Sequence, residues 1–91
     1  MKGKGGEGKM IRAKVYVTLK GGVLDPQGET VKGALEALGF AGVQDVRIGR
    51  FMVITLNNVS REEATRRVEE MCKKLLANPV IEDYRFDVGE E

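Results

Sequence analysis

The chain has 91 residues, 42% apolar and 32% charged, with fifteen basic against fourteen acidic side chains and a formal net charge of +1. That length is one domain, and a chain so small buries only a modest share of its surface, so a homo-oligomer, at least a dimer, is expected. Balanced charge removes the field that draws proteins to nucleic acid or anionic lipid, and no run approaches the roughly 18 apolar residues of a membrane span, so neither partner is expected.

Met1 to Lys9 mixes Gly3, Gly5, Gly6 and Gly8 with three lysines and offers too little apolar surface to pack. It reads as a flexible tail before a single domain over 10–91. Gly3 to Lys9 has the spacing G-x-x-x-x-G-K of a phosphate loop, but Met10 stands where a Ser or Thr should ligate magnesium, and a strand rather than a helix follows. The tail lacks the apolar core of a signal peptide, so a cytoplasmic protein with a reduced Cys72 is expected.

Ile11, Ala13, Val15, Val17 and Leu19 alternate with polar residues and Tyr16, the period of a strand with one buried face. Gly21-Gly22 breaks it. Asp25 followed by Pro26 supplies a helix N-cap and a first-turn proline, and Val31, Ala34, Leu35 and Leu38 recur at helical spacing until Gly39 closes the helix. Val46 and Ile48, then Gly49-Arg50, then Phe51 to Leu56 read as a hairpin with a type II′ turn. The strand after that turn is apolar on both faces, which predicts cover from two sides: helices on one and a second copy on the other.

Ser60 with Glu63 forms a capping box, and Ala64, Val68, Met71, Cys72 and Leu75 mark the buried stripe of a second helix. Glu62 with Arg66, Glu63 with Arg67, Glu69 with Lys73 and Glu70 with Lys74 stand at i, i+4 on its solvent face. Asn78-Pro79 ends the helix, and Tyr84, Phe86 and Val88 alternate with charged residues as a last strand. The class is α+β: a two-layer sandwich in β-α-β-β-α-β order, an antiparallel sheet with two helices on one face and association through the sheet.

The densest group of special residues is Gly21, Gly22, Asp25 and Gln27, a partner or anion contact at a helix N-terminus on one reading and a capped strand-to-helix turn on the other. Gln27 caps nothing obvious. Arg50 is placed at a hairpin tip, where a cation is either solvated or in contact with a partner. Asn78 and Glu82 suit the stop of a helix and the start of a strand, and Tyr84 suits a core position or an interface anchor. Cys72 lies on an apolar stripe with no histidine anywhere in the chain, so it reads as a small core residue. Without histidine the chain lacks the usual general base and the commonest zinc ligand, which speaks against autonomous catalysis.

Leu19-Lys20-Gly21-Gly22-Val23-Leu24-Asp25-Pro26-Gln27-Gly28, Val46-Arg47-Ile48-Gly49-Arg50 and Leu75 to Tyr84 together resemble the PurS family, the small subunits of formylglycinamide ribonucleotide amidotransferase. Arg50 stands where members of that family often carry Lys. The resemblance implies a dimerising two-layer α/β subunit without catalytic, cofactor-binding or metal-binding residues, bridging the glutaminase PurQ and the synthetase PurL in purine biosynthesis. ATP and magnesium belong to that synthetase, and the implied partner-facing residues are Lys20, Gly21, Gly22, Asp25, Gln27, Arg50, Asn78, Glu82 and Tyr84. Two other classes share the element order. An ACT-like amino-acid-sensing domain is the alternative on fold analogy. An RNA-recognition domain is disfavoured, since neither Tyr16 nor Phe51 lies in its aromatic and glycine pattern.

Overall fold

A computed structural model describes residues 10–90. The expected tail, with its phosphate-loop spacing, lies outside the described residues. The alternating segment forms strand β1 (Met10–Leu19), and its inward residues Ile11, Ala13, Val15 and Val17 are at most 1% exposed. β1 lies between β2 (Gly49–Asn57) and β3 (Glu82–Glu90), antiparallel to both, giving the order β2-β1-β3. Met10 pairs with Asn57 and Thr18 with Gly49 on one side; Ile11 pairs with Glu90 and Leu19 with Glu82 on the other.

Helix α1 (Pro26–Ala37) separates β1 from β2, and α2 (Arg61–Met71) separates β2 from β3. Ser60 begins α2, its Oγ accepting the Glu63 N–H at 3.0 Å. The Glu63 carboxylate turns to Arg67 Nε at 2.8 Å and to Arg66, and those two guanidinium groups hold its pKa below the usual carboxylate value. Arg66 therefore reaches Glu63 rather than the expected Glu62. Ala64, Val68 and Cys72 are wholly buried; Val68 and Cys72 share one core with Ala13, Val15 and Val17 of β1, and Met52, Ile54, Leu56, Phe86 and Val88 pack against it. Each fully buried Val or Ile side chain here contributes about 1.5–3 kcal/mol of transfer free energy.

Three expectations are revised. No hairpin turn occurs at Gly49-Arg50: Gly49 and Arg50 lie within β2, opposite Thr18 and Val17. The segment around Val46 and Ile48 precedes β2 as irregular chain, occupying the second-strand place in the predicted order without joining the ladder. A Cβ on Gly49 would stand 2.3 Å from the Val17 carbonyl oxygen, so close backbone approach, not turn geometry, accounts for this glycine.

The stripe of α2 also changes phase. After Met71 the chain runs through a π-turn (Cys72–Leu76), closed by the Ala77 N–H donating to the Cys72 carbonyl at 3.1 Å. A π-turn holds an extra residue against the α-helical repeat. Leu75, expected in the core, is consequently 82% exposed, while Leu76 packs against the core and Ala77 is buried.

Finally, of two helices expected to cover the sheet, α2 alone buries an apolar stripe. Val31 and Leu38 of α1 are exposed, and the single buried residue of that helix is Gly28.

Candidate functional site

The predicted residues meet where the chain passes from β1 to α1 and from α2 to β3. The Lys20 N–H donates to the Ile81 carbonyl at 2.8 Å, and Lys20 Nζ lies 2.7 Å from Asp83 Oδ1, so the loop after β1 is fastened to the start of β3. Arg47 Nη2 donates to the carbonyls of Leu19, at 3.3 Å, and Lys20, at 2.8 Å. Beyond that fastening the chain projects freely. Gly21 and Gly22 are exposed, a Cβ on either would meet nothing within 4 Å, and Gly22 has φ +88.

Asp25 turns inward and is only 6% exposed. Its Oδ1 accepts the Gly28 N–H at 2.9 Å, the N-cap expected from sequence, while Oδ2 accepts the Ile48 N–H at 2.9 Å. One carboxylate thus starts α1 and clasps it to the chain entering β2. The Ile48 and Gly28 N–H bonds, aided by the Arg47 charge, hold the Asp25 pKa below its usual value. Gly28 completes the clasp, since a Cβ there would lie 2.1 Å from the Val46 carbonyl oxygen. Gln27 is exposed on the first turn.

Arg50, Asn78 and Glu82 form a second clasp. Arg50 donates to both Glu82 oxygens, at 2.9 and 3.0 Å, and to the Leu76 carbonyl at 2.7 Å. The Asn78 N–H donates to Glu82 Oε1 at 2.7 Å, and Asn78 Oδ1 accepts the Val80 N–H at 3.0 Å. Arg50 and the Asn78 N–H hold the Glu82 pKa low. The guanidinium fork satisfies a carboxylate and a carbonyl at once, a geometry that the single ammonium of Lys does not reproduce.

Tyr84 stands apart from this group, half-buried on the α2 side of the sheet. Its hydroxyl donates to Glu69 Oε2, and this bond, with burial, pushes its pKa up to about 12. Burial likewise raises the Cys72 thiol pKa, the nearby Glu69 charge adding to it, so the thiolate needed for nucleophilic attack is disfavoured. Among the described residues no group of three or more His, Cys, Asp or Glu could hold a metal ion, and no helix is long and apolar enough to cross a membrane.

Around the clasps, Leu24, Leu75, Val80 and Ile81 are exposed apolar side chains that the sequence reading did not select. Leu75 falls on the predicted core stripe, and Leu24, Val80 and Ile81 lie in connecting segments with no periodicity to show which way they face.

A family model described as "PurS: Phosphoribosylformylglycinamidine (FGAM) synthase" matches residues 12–90. The phosphoribosylformylglycinamidine synthase subunit PurS of Bacillus subtilis is 53% identical over 81 residues, covering 89% of this chain and 95% of its own. The crystal structure of PurS from Methanocaldococcus jannaschii superposes with a TM-score of 0.77 at 46% identity, over 87% of this chain and 95% of that one. A chain in the structure of PurLQS from Thermotoga maritima superposes with a TM-score of 0.77 at 31% identity, over 90% and 98% respectively. These matches give the ACT-like alternative no support.

Proposed function

The chain belongs to the PurS family of phosphoribosylformylglycinamidine synthase subunits, and we propose that it is the non-catalytic assembly subunit of that synthase, bridging a PurQ glutaminase and a PurL synthetase. The carrying observation is the extent of the match, which takes in every strand and helix described and includes a relative solved as PurLQS. Glutamine-derived ammonia released into water is protonated and diluted before it meets an ATP-activated formylglycinamide ribonucleotide. An assembly that holds both active sites together prevents that loss. ATP and magnesium act on the synthetase, and this chain supplies position. The buried Cys72 with its raised pKa supports that division of labour.

The partner-facing surface is the end of the sheet bearing Lys20, Gly21, Gly22, Gln27 and Asn78. Asp25, Arg50 and Glu82 set the loop shapes there, and Tyr84 sets the seat of β3 under α2. The exposed Leu24 and Val80 add apolar contact area to that end. The chain works as a homo-oligomer in the cytoplasm.

Reconstitution with PurL and PurQ tests the reading. Gel filtration is expected to show one assembly of all three, and leaving this chain out should abolish glutamine-dependent synthesis while ammonia-dependent synthesis by the synthetase survives. Glutamine-dependent synthesis at the full rate without this chain would overturn the proposal.

A further inference from the structure

The end of α2 offers two registers for one pair of leucines. In an unbroken α-helix Leu75 follows Val68 by about two full turns and so falls on the same buried face. In the π-turn Leu76 packs against the core instead, and Leu75 is exposed. Either register buries one leucine and exposes the other, so apolar burial hardly separates them, and the α-helical register has the better repeat. Polar contacts must tip the choice.

Those contacts converge on Arg50. Met52, Ile54 and Leu56 pack against the core, and alternation along β2 puts Arg50 on that same face of the sheet. Its Nη2 donates to the Leu76 carbonyl at 2.7 Å and to Glu82 Oε1 at 3.0 Å, while Nη1 donates to Glu82 Oε2 at 2.9 Å. Carbonyls in the last turn of a helix lack intrahelical partners, and a charge-assisted bond to one of them is strong. Glu82 is itself fixed: it opens β3, its side chain is 12% exposed, and it accepts the Asn78 N–H. The Asn78 carbonyl in turn accepts the N–H groups of Ile81 and Glu82. One guanidinium therefore ties the carbonyl that ends the π-turn to a carboxylate anchored in the sheet.

We propose that Arg50 is a positioning residue that selects the π register of α2 and, through it, the place of the turn from Asn78 to Ile81. Without the fork, α2 regains its α-helical repeat, the Ala77 N–H turns from the Cys72 carbonyl to that of Lys73, and Leu75 replaces Leu76 in the core. The residue released from the π-turn passes into the segment before β3, where the Asn78 bonds to Glu82 and Val80 fit only the present length. Asn78 and Val80 lie on the end of the sheet assigned above to PurL and PurQ. The consequence for assembly rests on that reading, and the register does not.

Arg50→Met provides the test, since it keeps the stem of the side chain and removes every donor. Nuclear Overhauser contacts from the methyls of the two leucines to the core methyls of Val15, Val17 and Val68, measured on the full chain, read the register directly. The parent is expected to show them from Leu76 and the variant from Leu75, an exchange that general loosening of the helix end would not produce. The variant should also assemble with PurL and PurQ about tenfold more weakly, because a contact turn has been displaced. If Arg50→Met does not fold, the double variant Arg50→Met with Glu82→Gln removes the carboxylate charge left unpaired and carries the same expectations. Contacts from Leu76 in both chains, from Leu75 in both, or from neither leucine in the variant would overturn the proposal. An exchanged register with assembly at full strength would overturn the positioning role as well. Should the parent itself fail to join PurL and PurQ, the assembly reading falls, while the leucine contacts still decide what Arg50 does to the register.

Discussion

Helices α1 and α2 are similar in length, and each opens on a side-chain cap, Asp25 in one and Ser60 in the other. Their fates differ. α2 buries Ala64 and Val68 completely against β1, whereas α1 leaves Leu38 74% exposed and buries only Gly28. Apolar spacing states that a helix has a face to cover, and it does not say what covers it. For α2 the answer lies in the same chain; for α1 the chain provides an anchor instead, through Asp25 and the contact of Gly28 with Val46. Isolated helices shorter than about 12–15 residues are marginal in water, so the clasp and any later partner decide how well α1 is held.

The sharpest break between the two regions is expected from the buried face of β1. Ile11→Ala, at a side chain with no exposed surface, should cost about 2–5 kcal/mol in urea denaturation. Next comes the anchor. Alanine for glycine inside a helix ordinarily stabilises by about 0.5–1 kcal/mol, yet Gly28→Ala should destabilise by about 1–3 kcal/mol, because its Cβ meets the Val46 carbonyl. An unchanged or raised midpoint would show that α1 is not seated as described.

Acid titration separates the clasp from the rest. The folded Asp25 pKa is depressed, so its contribution is present above the unfolded carboxylate pKa, near 3.9, and is lost as pH falls through the lower folded value. Asp25→Asn should flatten that part of the stability curve while Glu63 and Glu82, depressed for the same kind of reason, keep theirs. Tyr84 has the opposite sign. Its raised pKa means that the hydroxyl contact with Glu69 stabilises fully below the unfolded value near 10 and is lost as pH rises through about 12. Tyr84→Phe should remove that alkaline dependence in a thermal melt series. The smallest effect belongs to exposed α1 positions: Leu38→Ser and Gln27→Ala should each move the stability of the isolated chain by less than about 0.5 kcal/mol. A larger loss at Leu38 would place α1 on the sheet after all.

Local chemistry made much of the fold legible in advance. Ile11 to Val17 announce their buried face by alternation, Asp25 and Ser60 announce helix starts, and Gly39, at φ +97 just beyond the C-cap Leu38, announces a stop. These signals act within a few residues and need nothing from elsewhere in the chain. Gly49 shows where such reasoning ends: glycine suits both a tight turn and a close backbone approach, and only the neighbouring carbonyl of Val17 distinguishes them. Leu75 shows the same limit, since one residue added in the π-turn moves it from core to solvent.

The candidate site divides along that line. The stretches from Leu19 to Gly28 and from Leu75 to Tyr84 identified the family from residue types alone, because family-wide patterns of glycine, proline and charge are carried in the sequence. What Arg50 does was decided by tertiary structure: its fork closes on Glu82, 32 positions away, and on the Leu76 carbonyl. Asp25 was read correctly as a cap, yet its second oxygen holds Ile48, a partner supplied only when α1 meets the chain entering β2. Sequence by itself determined the three paired strands and the helix starts, since those depend on local periodicity and capping, and the family, while it placed at Val46 and Ile48 a strand that does not join the sheet. Tertiary structure alone decided which helix is covered, which polar groups are spent inside the fold and which faces stay open, because each depends on groups brought together from distant parts of the chain.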